Sequence, residues 1–153
     1  ALMDLGVYPV YAAIRLFSHP RFARYSAQQL ANTIDLNGAG CLIYPDFQVQ
    51  IQAGKNINSN LPAEIYTDQG TLTLDGIEFI SSAIFQSLDG QEEVLPIQRA
   101  SHTMLEEAQA FARVLKGGQD AAYEKWLDAA EAVHESLFAM RKDAGIRFEV
   151  DDD

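Results

Sequence analysis

The chain has 153 residues, of which 48% are apolar and 22% charged. That is long enough for one domain with a sizeable core, too apolar for a disordered segment, and free of any uninterrupted membrane-length apolar run. Net charge is −11, from 22 acids and 11 bases, and Arg21, Arg24, Arg113, Arg141 and Arg147 are too scattered to form a basic patch, so nucleic-acid partners and membrane insertion are both excluded as expectations.

The first element is read from Asp4 to Phe17, where Val7, Val10, Tyr11, Ile14 and Phe17 recur at helical spacing. Asp4 is a candidate cap, and Pro9, just past the first turn, costs a hydrogen bond and is expected to kink the start. Ser18-His19-Pro20 ends the helix. From Arg24 to about Ile97 the period becomes two. Strands are expected over 23–34, 40–44, 47–53, 63–67, 71–74, 77–86 and 92–97. The clearest is Phe47 to Ala53, which puts Gln48, Gln50 and Gln52 on one side and the apolar residues on the other. Asn37-Gly38, Pro45-Asp46, Asp68-Gln69-Gly70, Asp75-Gly76 and Asp89-Gly90 read as turns, and strands joined so briefly must be antiparallel.

Helical spacing then returns. Thr103 and Glu106 form a capping box, with Met104, Ala108, Phe111 and Leu115 as an inner stripe and Gly117-Gly118 as the stop. A longer helix over 121–144 carries Ala122, Trp126, Ala130, Val133, Leu137 and Met140 on one face, with Gly145 just beyond its end. Ile146, Phe148 and Val150 alternate as a final strand, and Asp151 to Asp153 read as a solvated tail. The sum is one α+β domain: an open-faced, mostly antiparallel sheet with helices packed on one face.

Cys41 is the only cysteine, so no disulfide framework exists, and it reads as a small buried thiol. The first residues carry no basic leader and no initiator Met, which reads as a piece of a longer cytoplasmic protein. His19, His102 and His134 lack metal-ligand spacing, and His134 reads as a partly buried, hydrogen-bonded histidine. Asn37-Gly38-Ala39-Gly40 holds a G-x-G but lacks the third glycine and the following helix of a dinucleotide loop, so it reads as a hairpin turn.

Asp4 and Tyr8 are four apart and share a helical face. A carboxylate beside a phenol suits acid–base chemistry on a hydroxyl or carbonyl; the competing reading is a cap and a packed ring. Lys55-Asn56, ending the glutamine-faced strand, is either a solvated strand end or a contact to substrate or a neighbouring subunit. The glutamine row suits a wet face or a polar sheet-to-sheet contact equally.

Asp4-Leu5-Gly6-Val7-Tyr8-Pro9, with the helix ending in Arg15-Leu16-Phe17, resembles the D-x-G-x-(H/Y) motif that opens the second domain of the glucose-fructose oxidoreductase / inositol dehydrogenase / MocA family. Tyr44-Pro45-Asp46-Phe47 resembles that family's strand pair. Ala63 to Leu72 is similar to its E-I-x-G-x-x-G-x-L hairpin, with Thr67 where glycine is commoner. Met104 to Gly118 and Asp128 to Ile146 resemble its last two helices and final strand. The resemblance implies the C-terminal, substrate-binding and homo-oligomerising domain of an NAD(P)-dependent oxidoreductase acting on a sugar, polyol or related secondary alcohol. The family's N-terminal Rossmann domain and its E-K-P lysine are outside this chain. By the same resemblance Asp4 and Tyr8 take the catalytic positions, Tyr replacing the commoner His. A phenol ordinarily ionises near pH ~10, so it needs a neighbouring cation, for which the E-K-P lysine is the candidate. NAD or NADP is expected on the full-length protein and none on this fragment. The alternative reading is a non-catalytic scaffold domain that makes protein contacts through its open sheet face.

Overall fold

An apolar stripe beginning at Val7 does fold as a helix, α1 (Val7–Phe17), but a π-helical turn, Leu2–Gly6, precedes it. The carbonyl of Ala1 accepts from the amides of Leu5 at 2.7 Å and Gly6 at 3.2 Å. This widened turn lies just ahead of Pro9, which has no N–H to return to the preceding turn. Asp4 does not cap the helix, contrary to the sequence reading. The cap comes from a distant strand: the Asp35 carboxylate accepts the Leu2 amide at 2.5 Å and the Ala1 amino group at 2.8 Å. Burial would raise the Asp35 carboxyl, but these N–H groups outweigh it and hold the carboxyl below its usual range.

The computed structural model describes residues 1–98, 101, 102, 104–117, 121–148 and 151. They fall into two units, one of residues 1–59 and 125–153, the other of 60–124. The first holds a three-stranded antiparallel sheet, β1 (Phe22–Gln29), β2 (Asp35–Ile43) and β3 (Gln48–Gly54), in sequential order. Its register aligns Tyr25, Gly40 and Ile51 across the sheet, and beside them Ala23, Leu42 and Val49. This face packs against Val10, Ala13 and Ile14 of α1 and against the last helix, α3 (Ala121–Asp143), through Ala129, Ala132, Val133, Leu137 and Met140. The buried stripe of α3 therefore runs through Ala129 and Ala132; Ala130, expected inside, is exposed. Gly145 closes α3 at φ 68°, where a left-handed conformation suits glycine.

The opposite face is polar and open. Its rows read Ser26–Ala39–Gln52 and Arg24–Cys41–Gln50, with the three glutamines exposed and Cys41 half-buried rather than buried. Asn37-Gly38 is not a turn: it lies within β2, and the chain reverses at residues 30–34, where the Leu30 amide bonds the Ile34 carbonyl at 2.9 Å. The glycine has a tertiary cause. A Cβ on Gly38 would sit 2.4 Å from the Tyr25 ring and hydroxyl, and one on Gly40 would meet the same ring at 2.8 Å.

The C-terminal segment also departs from expectation. Ile146 to Phe148 form no strand, and Ile146 instead enters the core. Buried Arg141 donates to the Ile146 carbonyl at 3.0 Å and pairs with Asp151, while its guanidinium lies over the rings of Phe148 and Phe138 at 4.5 and 5.2 Å. Asp151 is thus anchored rather than solvated.

The second unit contains a four-stranded antiparallel meander, β4 (Ala63–Tyr66), β5 (Gly70–Leu74), β6 (Ala83–Ser87) and β7 (Glu92–Val94). The strand expected over 77–86 begins only at Ala83, because Asp75 gathers a loop: its carboxylate accepts the Ser81 and Ser82 amides at 2.7 and 3.0 Å and the Ser81 hydroxyl. Those donors lower the Asp75 carboxyl to about 2. Helix α2 (Leu105–Leu115) buries none of its residues, so Met104, Phe111 and Leu115, expected as an inner stripe, are exposed. Thr103 of the expected capping box and Gly118 lie outside the described residues; Gly117 ends α2 at φ 86°.

Candidate functional site

The start of α1 and the end of β3 meet at one point of the first unit. The π-helical turn carries Asp4 outward, with 65% of its side chain exposed. On the strand side, Gly54 lets the chain bend: a Cβ there would lie 2.4 Å from Ile57 and 2.7 Å from Asn37. The Lys55 amide bonds the Leu36 carbonyl at 2.7 Å, extending the ladder one residue past β3. Its ammonium then reaches Asp4 Oδ2 at 2.8 Å. The hydrogen bond and charge of Lys55 hold the Asp4 carboxyl below its usual range, and the same contact raises the Lys55 ammonium. Tyr8, four residues on, is 45% exposed, so it is neither a packed ring nor a buried one. Asp4 on the π-helical turn and Tyr8 in the first turn of α1 are both exposed, and Lys55, which the sequence left undecided, is paired with Asp4.

Asn56 belongs to a different arrangement. Asn37 Nδ2 donates to Asn56 Oδ1 and to Gln28 Oε1, each at 2.8 Å, linking the strand end to the open polar face. At the other end of the sheet Tyr44 stacks on Phe47 at 4.6 Å, with Phe17 edge-on to both. His19 Nε2 lies 3.2 Å from Asp128 in a shallow depression shared with Arg15 and Lys125. His134 is exposed, not partly buried. Among the described residues, no group of three His, Cys, Asp or Glu is placed to hold a metal ion, and no helix is long and apolar enough to cross a membrane.

The G-x-G of Gly38 and Gly40 is not a phosphate cradle. A phosphate cradle needs a turn feeding a helix N-terminus, whereas Gly38 and Gly40 lie inside β2 beneath the Tyr25 ring. Sequence reasoning missed Asp35, Lys55 as the partner of Asp4, and Arg141. A lone Asp after a polar turn gives no local sign of capping a helix more than thirty residues away.

No family model matches the chain. It is 29% identical over 155 residues to the scyllo-inositol 2-dehydrogenase (NADP(+)) IolU of Bacillus subtilis, covering 99% of this chain and 46% of that protein. It is 27% identical to the uncharacterized oxidoreductase YgjR of Escherichia coli, covering 99% and 45%. Among solved structures, an oxidoreductase from Klebsiella pneumoniae superposes at TM-score 0.74 with 16% identity, covering 95% of this chain and 47% of that one. The UDP-N-acetylglucosamine 3-dehydrogenase GnnA of Acidithiobacillus ferrooxidans superposes at 0.69 with 10% identity, covering 94% and 48%. The chain thus spans about half the length of these oxidoreductases. In sequence it is similar to about half of two bacterial oxidoreductases, one of them an inositol dehydrogenase, and in fold to about half of solved oxidoreductases.

Proposed function

We propose that this chain is the substrate-binding and self-associating C-terminal domain of an NAD(P)-dependent oxidoreductase that acts on a sugar, polyol or related secondary alcohol. The observation that supports it most is the exposed helix start, where Asp4 is paired with Lys55 and Tyr8, four residues on, faces solvent. An ionised carboxylate is an acceptor only, so Asp4 suits the task of orienting a substrate hydroxyl. As the phenolate that a cation from the remainder of the parent enzyme would hold, Tyr8 Oη is the group to take the hydroxyl proton as the alcohol carbon is oxidised. The hydride acceptor belongs to the remainder of the parent enzyme, since the glycines here cradle a tyrosine instead.

The open face of the β1–β3 sheet supports self-association. Apart from Arg24 at one edge, its side chains are uncharged, which spares a −11 chain the like-charge repulsion it carries elsewhere. The same face is what a purely scaffolding domain would use. Steady-state assays of the full-length parent with both nicotinamide cofactors and a polyol panel separate the two. Asp4→Asn and Tyr8→Phe are expected to slow turnover by ~10²–10⁴ while leaving the fold intact. Full activity in both variants removes the catalytic reading.

A further inference from the structure

Resting on Asp4 as a substrate-facing acceptor, we propose that Lys55 is the positioning residue of this site: it fixes the direction of the Asp4 carboxylate and tunes the site to uncharged, hydroxyl-rich substrates. The ion pair engages Oδ2, which leaves Oδ1 to accept a substrate hydroxyl. Without Lys55, an exposed carboxylate on a first helical turn samples several rotamers, and a hydroxyl would bind it in no single pose.

Lys55 is placed better than an ordinary surface lysine. Its backbone is pinned by the amide bond to Leu36, the preceding Gly54 is packed under Ile57, and the following Asn56 is held by Asn37. Exposed ion pairs contribute little to stability, so this pinning has more to offer geometry than folding. The charges facing the pair are few. The Asp35 carboxylate on β2 acts on Lys55, and the amino group of Ala1, which is a peptide amide in a longer parent, acts on Asp4 in this chain only. Lys55 and Asp4 cancel, so a carboxylate or phosphate on the substrate finds an ammonium already engaged and a carboxylate that repels it. A neutral polyol pays neither cost. The lowered Asp4 carboxyl agrees with this placement.

The test uses Lys55→Gln, which keeps reach and polarity but removes the charge, and Lys55→Arg, which restores the charge. In this chain the ¹³C carboxyl resonance of Asp4 is titrated. In the full-length parent the pH profile of kcat/KM is measured with a neutral polyol. Lys55→Gln is expected to move the Asp4 midpoint and the acid limb of the profile upward together and to lower kcat/KM by ~2–5-fold, the factor an exposed ion pair can carry, with Lys55→Arg recovering most of the loss. An unmoved Asp4 midpoint overturns the proposal. So does a Lys55→Gln enzyme as active as its parent while Asp4→Asn is inactive, and that outcome leaves the underlying site reading standing. Undiminished activity in Asp4→Asn and Tyr8→Phe removes the site reading and Lys55 with it.

Discussion

Replacing Tyr25 by Phe should make the protein more stable. The Tyr25 side chain is 4% exposed, and its hydroxyl is buried without a hydrogen-bond partner among the described residues. An unsatisfied buried hydroxyl costs ~1–3 kcal/mol, because it leaves its water partners and gains nothing in return. Removing the oxygen leaves a gap of about 10 Å³, which at ~24 cal/mol per Å³ costs ~0.2 kcal/mol. The ring keeps its seat over Gly38 and Gly40. The net expectation is a gain of ~1–2 kcal/mol, or a Tm rise of ~2–8 °C for a chain of this length. The pH dependence gives a second readout. Burial, reinforced by the Asp35 charge, pushes the Tyr25 phenol up to about 12. From an ordinary value near ~10, the unfolded chain sheds this proton while the folded chain still holds it, so stability falls as pH rises from about 10 toward 12. Tyr25→Phe should reduce that alkaline loss, leaving the shares due to Tyr44, raised by burial, and to Tyr66 and Lys55, raised by Glu64 and Asp4. Denaturant unfolding at pH 7 and pH 11 measures both effects. A variant destabilised by more than ~1 kcal/mol with an unchanged m-value would show that the hydroxyl does have a partner, and the reasoning would fail.

Two further outcomes follow from the same sheet. Gly38→Ala places a Cβ 2.4 Å from the Tyr25 ring and 2.5 Å from the Ser26 carbonyl oxygen, and since that oxygen is backbone, the cost should reach the ~3 kcal/mol upper end of over-packing. Truncating Tyr25 to Leu in the same chain should recover only part of it; complete rescue in thermal unfolding would place the strain in the ring alone. On the other face, where the charge of Arg24 is paired with Asp143, Gln50→Lys adds an unpaired cation that would meet its own copy across a two-fold, so it should weaken a symmetric dimer in sedimentation at micromolar concentration. A dimer indifferent to this lysine, or a monomeric parent chain, argues against assembly through the sheet; a biological contact there should bury more than ~1,000 Å².

What could be read from the residues alone follows from how local each cause is. The alternation of Gln48, Gln50 and Gln52 with Val49, Ile51 and Ala53 is a property of six consecutive residues, and β3 keeps it: the glutamines are exposed and the others turned inward. The stripe of α3 was harder to place because Ala129, Ala130 and Ala132 differ by a rotation that alanine's small side chain barely marks. The motif containing Asp4 and Tyr8 singled out two residues of the candidate site, and both emerge exposed at its helix start. Lys55 could not be chosen that way, because its partner lies fifty-one residues earlier and only the end of β3 brings them together.

The misread turn shows the limit most clearly. Asn-Gly is among the strongest short-range hairpin signals, since both central positions of the favoured turn tolerate positive φ. At Asn37-Gly38 the glycine serves another need: an aromatic ring from the neighbouring strand lies against its α-carbon, and the next alternate residue, Gly40, continues the same bare track. A sequence shows that a side chain is missing but not whether a dihedral angle or a neighbour requires it. Spacing is the discriminating sign. Glycines two apart within an alternating segment lie on one face of a strand, which a two-residue turn has no use for and a flat ring does. By that rule Gly38 and Gly40 identify both the strand and the face on which Tyr25 is buried. They also account for why the chain's one G-x-G pair serves packing.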